Sequence, residues 1–489
     1  MRIAFLADLH ITDCAKSIKA DVLEWLENEL RQKRPDLLVL IGDMTAMGTE
    51  GQSQRLHKWL DAIGIPYCST PGNAELRTSP EMAVRWRIAS PADVPVILVD
   101  SSRGTPSLEE LLALERLPDN AGFLLATHVP TDAWPQDAIE VLEKARVRRA
   151  VTAVVGGHQH VDGESKIRGL DPDKASGGPP MYCIFDNDAG AWRREDIAMN
   201  GADIRTWPEI ERQRLFSRFG VSAMKETLET LETASTLHIP HIELRSGSID
   251  VLPKRDVVAA VARWREAGGM CLSIHLPSLL PEDEQGRLRA CVQQAVRLGC
   301  DRVTLHVPAV TPVVFPSCRS RLLENFLRDM APLLECPVDI GIENLHTSPE
   351  KTDDMHRNYG CTIDECRSWI ETLRAATGSK RIGFHLDIGH ARNNPPFNSV
   401  ENLSDFYAEL GGIANGCHVH QVSPVAIAGE SGNHQPFIGL YDKLISLAGF
   451  FYAWRKGQFP LIPPLFLEIR GSGLGIQTYL RLRYLILGY

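Results

Sequence analysis

The chain opens Met1-Arg2-Ile3-Ala4-Phe5-Leu6-Ala7-Asp8-Leu9-His10. The run Arg2–Leu6 has the length and apolar character of a buried strand. Directly after it come two side chains able to hold a metal, Asp8 and His10. The arrangement recurs: Asp36–Ile41 precedes Gly42-Asp43, Phe123–Thr127 precedes His128, and Ala150–Val155 precedes Gly157-His158-Gln159-His160. Gly72-Asn73 is the fifth member of the set. Oxygen and imidazole donors at successive strand ends converge when the strands are neighbours in a layered α/β fold. One such motif would be a weak signal; five in order are a strong one.

The ordered set resembles the calcineurin-like metallophosphoesterase family over roughly the first 200 residues. The resemblance implies two divalent metals (Mn, Fe or Zn). Asp8, His10, Asp43 and His160 would hold one, and Asp43, Asn73, His128 and His158 the other, with Asp43 as the catalytic bridge. Two metals about 3.5–4 Å apart clamp phosphate oxygens and generate a hydroxide nucleophile. Where the family carries Gly-Asn-His-Glu/Asp, this chain reads Gly72-Asn73-Ala74-Glu75. Losing a group that stabilises the phosphoryl or protonates the leaving oxygen typically costs on the order of 10²–10⁴ in rate. Three readings follow: a leaving group that needs no acid, a histidine supplied from elsewhere, or a site that binds phosphate without turnover. The intact ligand set favours retained but specialised activity.

A chain of 489 residues is too long for one ordinary core. With 44% hydrophobic and 23% charged residues it has the composition of a globular protein. No apolar run approaches 18 residues, so no membrane span is expected. The start enters a strand with a ligand at position 8, unlike a signal peptide. Eleven cysteines without a CxxC pair point to reduced thiols and a cytoplasmic location. Net charge is −10, and from Arg212 onward basic and acidic residues balance at 29 each, so the excess acid lies in the first part. No basic footprint of a duplex-binding protein stands out. The expected partner is a small phosphorylated molecule, with nucleic acid less favoured and oligomeric state left open.

The expected organisation is a layered α/β domain at 1–200, a linker at 201–211 and a second domain at 212–489. Closing strands of the first domain are read at Met181–Phe185 and Trp192–Ile197. Beyond the linker a strand–helix rhythm repeats eight times, the size and pattern of a (β/α)₈ barrel. The strands are Phe219–Ala223, His241–Arg245, Met270–His275, Arg302–Val307, Val338–Glu343, Arg381–Asp387, Gly416–Gln421 and Leu465–Arg470, with helices such as Lys225–Ser235, Glu284–Leu298 and Arg319–Leu334. Their carboxyl ends, where barrel enzymes keep their chemistry, carry Glu243, His275, His306, Glu343, Asp387 with His390, His418 and His420, and Glu468; His434 follows the seventh strand.

This constellation resembles the xylose isomerase-like TIM barrel superfamily, which includes sugar epimerases and endonuclease IV-type repair nucleases. The epimerase branch implies one Mn or similar ion on Glu343, Asp387, His420 and Glu468, with Glu343 and Glu468 shuttling a proton between adjacent carbons. The endonuclease branch implies three zincs on nine ligands. Eight have matches: His275, His306, Glu343, Asp387, His390, His420, His434 and Glu468. The ninth, an Asp two residues before His434, is Gly432 here. One to three divalent ions (Mn or Zn) are therefore expected in the barrel. Arg392 and His390 are candidate substrate contacts, the former because a guanidinium forks onto phosphate. Asn344–Gly360 is a candidate lid. His57, His238, His346 and His385 read as ordinary surface or core histidines. The functional expectation is a bifunctional enzyme: a phosphoester hydrolase joined to a metal-dependent isomerase or epimerase. The alternatives are a repair nuclease and a phosphate-ligand sensor gating the barrel.

Overall fold

The computed structural model describes residues 1–188, 191–282, 286–348, 350–423 and 432–489. The chain divides into two compact units, Met1–Thr206 with Tyr441–Tyr452, and Trp207–Leu440 with Ala453–Tyr489.

The first unit holds β1 (Arg2–Leu6), β2 (Leu37–Ile41), β3 (Tyr67–Thr70), β4 (Val96–Val99), β5 (Phe123–Thr127), β6 (Val151–Gly156), β7 (Met181–Asp188) and β8 (Ala191–Ala198). One sheet runs β3-β2-β1-β7-β8 and the other β4-β5-β6. Strands β1 to β3 are parallel, and β7 runs antiparallel to β1. Phe5, Val39 and Cys68 of the first sheet and Leu124, Ala126 and Val155 of the second share one buried cluster, so the sheets face each other across a core. Helix Gln136–Val147 covers the second sheet through Ala138, Leu142 and Ala145. Strands β3 and β4 fall outside the sequence expectation. Each has four residues, too few to show a period, and β3 reads Tyr-Cys-Ser-Thr.

Tyr441–Tyr452 lies inside the stretch expected to be barrel, yet it belongs to the first unit. The Tyr441 hydroxyl donates to Asp203 (2.9 Å) and accepts from the Ile204 N–H (3.0 Å). The Ser446 N–H donates to the Asp173 carbonyl, and Leu447, Ala448, Phe450 and Phe451 are buried. An apolar stretch between two barrel strands reads locally as barrel helix, and only these long-range partners reassign it. Around the expected linker the chain forms two short 3-10 turns, Asn200–Ala202 and Ile204–Thr206, then helix Glu209–Phe216.

The second unit is a closed parallel barrel of β9 (Phe219–Ala223), β10 (His241–Arg245), β11 (Cys271–His275), β12 (Arg302–His306), β13 (Asp339–Glu343), β14 (Ile382–Asp387), β15 (Ala414–Val419) and β16 (Leu465–Leu467). Strands β15 and β16 end sooner than expected, so His420 and Glu468 stand just past their strands. The expected helix at Glu284 begins at Arg287, and Glu284 itself lies outside the described residues.

Barrel interiors are ordinarily filled by branched apolar side chains; this one carries polar layers. Glu243 on β10 accepts from Thr304 on β12 (2.7 Å) and contacts His418 on β15 (2.6 Å). Those strands are not neighbours, so the bonds cross the axis. Alternate residues face inward along each strand, which puts Glu243, Ser273, Thr304, His385 and His418 in one buried layer. Beneath it Arg302 donates to His385 Nδ1 (3.0 Å) and Asn415 (3.3 Å). A Cβ at Gly341 or Gly416 would overlap that guanidinium.

All eleven cysteines are free. Among the described residues, no helix is long and apolar enough to cross a membrane.

Candidate metal centres

In the first unit the ends of β1, β2, β5 and β6 are laced by their backbones. Asp8 N–H donates to Gly42, His10 N–H to Asp43 and Gly157 N–H to His128 (2.9–3.1 Å). Two donor groups result, Asp8/His10/His160 and Asp43/His128/His158, each with its ligand atoms within 4.8 Å of one another. Asp43 faces both: its Oδ2 is 3.5 Å from His10 Nε2 and its Oδ1 is 3.4 Å from His128 Nε2. Asn73 Oδ1 lies 3.2 Å from His128 Nε2. All seven sequence-expected residues therefore meet in one place.

Backbone strain places them. Among the described residues, ten non-glycine residues have positive φ, and Asp8, His10, Asp43, His158 and His160 are five of them. Such conformations cost of order 1–3 kcal/mol each and persist where the surroundings over-determine them. Gly72 is required for close approach, because a Cβ there would overlap the Asp43 carboxylate. Supporting bonds orient the donors, as is usual around metals. His128 donates from Nδ1 to the Ile41 carbonyl (3.0 Å), leaving Nε2 toward the centre. Glu75 accepts from the Asp43, Thr45 and Gly72 N–H groups. Ala74 is fully buried and donates its N–H to Asp43 Oδ1 (2.7 Å), so its position works through the backbone.

The electrostatics fit a cation. Burial, together with the Asp43 charge and against the His128 imidazole, pushes the Asp8 carboxyl well above its ordinary range. Burial and nearby Lys174 and His160 hold His10 well below an ordinary imidazole, so it is neutral. Both His10 ring nitrogens are buried without a hydrogen bond. Crowded carboxylates beside neutral, unsatisfied imidazoles are the surroundings a divalent metal satisfies.

In the barrel, donor groups form near the strand ends, among them His275/His306/Glu343, His275/His418/Glu468 and His390/His420/His434. Glu343 is the hub. Its Oε2 is 3.1 Å from His275 Nε2 and 3.4 Å from His306 Nε2, and its Oε1 is 3.1 Å from His418 Nδ1 and 3.6 Å from His390 Nδ1. His420 Nε2 reaches Asp387 Oδ1 at 3.0 Å. Glu468 Oε2, buried without a hydrogen bond, is 3.2 Å from His418 Nδ1 and 3.4 Å from His434 Nδ1. Asn344 grips the Asp387 backbone at both its N–H (2.8 Å) and its carbonyl (3.1 Å). Asp387 in turn caps the turn Ile388–Arg392 by accepting from His390 N–H (2.7 Å). Burial, aided by Arg245, pushes His275 down to about 4, the neutral form a metal binds. Burial alone would raise the Glu343 and Glu243 carboxyls, but surrounding imidazoles, His418 above all, hold both well below the usual range.

Gly432 leaves the position of the ninth ligand without a donor; a Cβ there would press on the Ser423 carbonyl. Beside it, Asn433 Nδ2 lies 3.3 Å from His346 Nε2, and the His346 ring packs on His390 at 4.6 Å. His385 is a buried core histidine, as expected, and lies in the axial layer, while His346 packs beside the His390 group. The alternating spacing His385-x-Asp387 and His418-x-His420 is the signal that reveals His385 and His418, whereas His346 follows its strand and shows no such period. Arg392 is half-buried at the end of its turn, and its carbonyl accepts from Asn398. Within the candidate lid, Leu345 N–H donates to Gly360, and Thr347 N–H to Asn394. Pro349 within it lies outside the described residues.

Residues 1–162 match the family model of calcineurin-like phosphoesterases, and 230–442 that of the xylose isomerase-like TIM barrel. A probable cyclic nucleotide phosphodiesterase of a Synechococcus species is 26% identical over 199 residues, covering 35% of this chain and 76% of that protein. A dimetal phosphatase from Danio rerio is similar over 40% of this chain and 96% of its own (14% identity, TM-score 0.32). A D-tagatose 3-epimerase-like protein is similar over 55% and 98% (19% identity, TM-score 0.40). The chain joins a calcineurin-like phosphoesterase domain to a xylose isomerase-like TIM barrel domain.

Proposed function

We propose that the chain carries two metal-dependent activities. The first unit hydrolyses a phosphoester, and the barrel isomerises or epimerises a small polyhydroxy compound or its phosphate. The observation that carries the first reading is the Asp43 carboxylate facing both donor groups, at 3.5 Å from His10 and 3.4 Å from His128. Divalent metals held there by Asp8, His10, Asp43, Asn73, His128, His158 and His160 would supply Lewis acidity to a phosphoryl oxygen. The Synechococcus relative supports a hydrolase and favours a small phosphodiester as substrate. Ala74 offers no side-chain proton donor, which favours a leaving group that departs as a stable anion.

In the barrel, Glu343 and Glu468 converge on His418 Nδ1, at 3.1 and 3.2 Å. A metal on Glu343, Asp387, His420 and Glu468 would stabilise charge on adjacent substrate oxygens. The two carboxylates are placed to take a proton from one carbon and return it to the next. A second reading has a specific support: the barrel's overlapping donor groups hold more ligands than one ion needs, as in a multi-zinc nuclease. Activity assays on Asp43→Asn and Glu343→Gln test the proposal. Each is expected to lose only its own unit's activity. Loss of both activities in either folded variant would refute two independent sites.

A further inference from the structure

Beside the barrel's donor groups lies a cavity of about 400 Å³ whose wall includes His275 and His306. That is within the range of small-molecule sites. Its charged lining residues are two arginines. Arg245 and Arg287 line it together with the hydroxyls of Ser246, Ser248 and Ser278, and no carboxylate is among its described lining residues. Arg245 is placed by its strand: it pairs in register with His275, so its guanidinium sits at the level of the donors and forms an ion pair with Glu468. Ser278 Oγ contacts His306 Nδ1 (3.2 Å), linking the far wall to the same donors. A concave site with the Arg287 guanidinium, three hydroxyls and a second guanidinium shared with Glu468 suits a tetrahedral oxyanion, since a planar fork matches its oxygens and hydroxyls fill the rest.

We propose that this cavity binds the phosphate of a phosphomonoester substrate, whose carbon chain extends past His275 and His306 toward Glu343. The proposal rests on the reading of the barrel as a metal-dependent site and narrows it to phosphorylated polyhydroxy compounds. The anchor then lies on β10 and the segment after β11, away from Arg392.

The test is calorimetric titration of the full-length Asp43→Asn chain, which silences the other phosphate site, with inorganic phosphate and with glycerol 3-phosphate. Arg287→Ala, an exposed position that leaves the core untouched, is expected to weaken phosphate at least about tenfold, or ~1.4 kcal/mol. Arg245→Lys, which keeps the charge and loses the fork, is expected to weaken it less. Glycerol 3-phosphate is expected to bind more tightly than phosphate. Affinity unchanged in Arg287→Ala, or equal for the two probes, would overturn the assignment. Barrel metal content, measured on the same samples, separates the outcomes: metal present with phosphate binding unaffected sinks the anion site alone, whereas a metal-free barrel sinks the reading beneath it.

Discussion

The two donor sets reach similar chemistry by different structural means. In the first unit the ligands hang on loops just past the strands, and five of them adopt left-handed backbone. In the barrel most ligands face inward by strand parity, and among those expected only His434 has positive φ. The charges differ as well. Burial drives Asp8 up, whereas imidazoles hold Glu343, Asp387 and Glu243 down. The first centre is therefore preorganised by its backbone and relies on an added cation, while the barrel partly neutralises itself with His418. Each design should fail in its own way.

Breaking the barrel's charge balance has the largest expected effect. Glu243→Leu removes the carboxylate that lies 2.6 Å from His418 Nε2 in a fully buried layer. Removing one member of a buried pair costs about 3–5 kcal/mol. Denaturant unfolding of the metal-free chain should report that loss in the barrel transition; an unchanged midpoint would mean the pair contributes nothing.

Backbone crowding separates the units next. Gly72→Ala forces a methyl into the Asp43 carboxylate, and Gly389→Ala forces one into the His420 ring. Each is expected to lower its own unit's activity by about 10²-fold, since small misplacements of reacting groups cost that much. The other activity in the same protein is the internal control. Asn344→Ala, which frees the Asp387 backbone, should weaken barrel metal affinity by roughly 10–100-fold and leave the first unit's metals in place. Competition with a chelator would measure it.

The smallest effect concerns pH. Burial, assisted by Arg218, pushes His241 down to about 4, and its Nε2–H bonds the Ser217 carbonyl. The folded state then binds fewer protons than the unfolded one between that value and the ordinary imidazole range. The stability from this residue is therefore complete above about 6.5 and falls as pH drops toward 4. His241→Gln should flatten the decline over that window relative to the parent; identical pH profiles would contradict the assignment.

Much of this was readable from residues alone, for a physical reason. Asp8, Asp43, His128 and His158 follow apolar runs long enough to mark strands, so motif and strand end coincide. The barrel ligands were legible as polar residues in a place where apolar ones are the rule. Strands of four residues such as β3 and β4 carry no period to detect. The allegiance of Tyr441–Tyr452 depends on Asp203 and Asp173, more than 200 residues away in sequence, which no local pattern encodes. The cavity arginines were equally hidden: Arg245 and Arg287 sit on separate elements, and only the barrel's closure places them together.

That allegiance also dictates the material for the decisive experiment. Cutting the chain near residue 208 would strip Tyr441–Tyr452 of its partners, so the full chain is required. The measurement is metal content per chain, by elemental analysis after desalting, for the parent, Asp43→Asn and Glu343→Gln. Two separate centres require that Asp43→Asn lose metal only from the first unit and Glu343→Gln only from the barrel, with the two losses adding up in the double variant. If either single substitution emptied both centres in a folded protein, or if the parent held metal in one unit alone, the account would be contradicted.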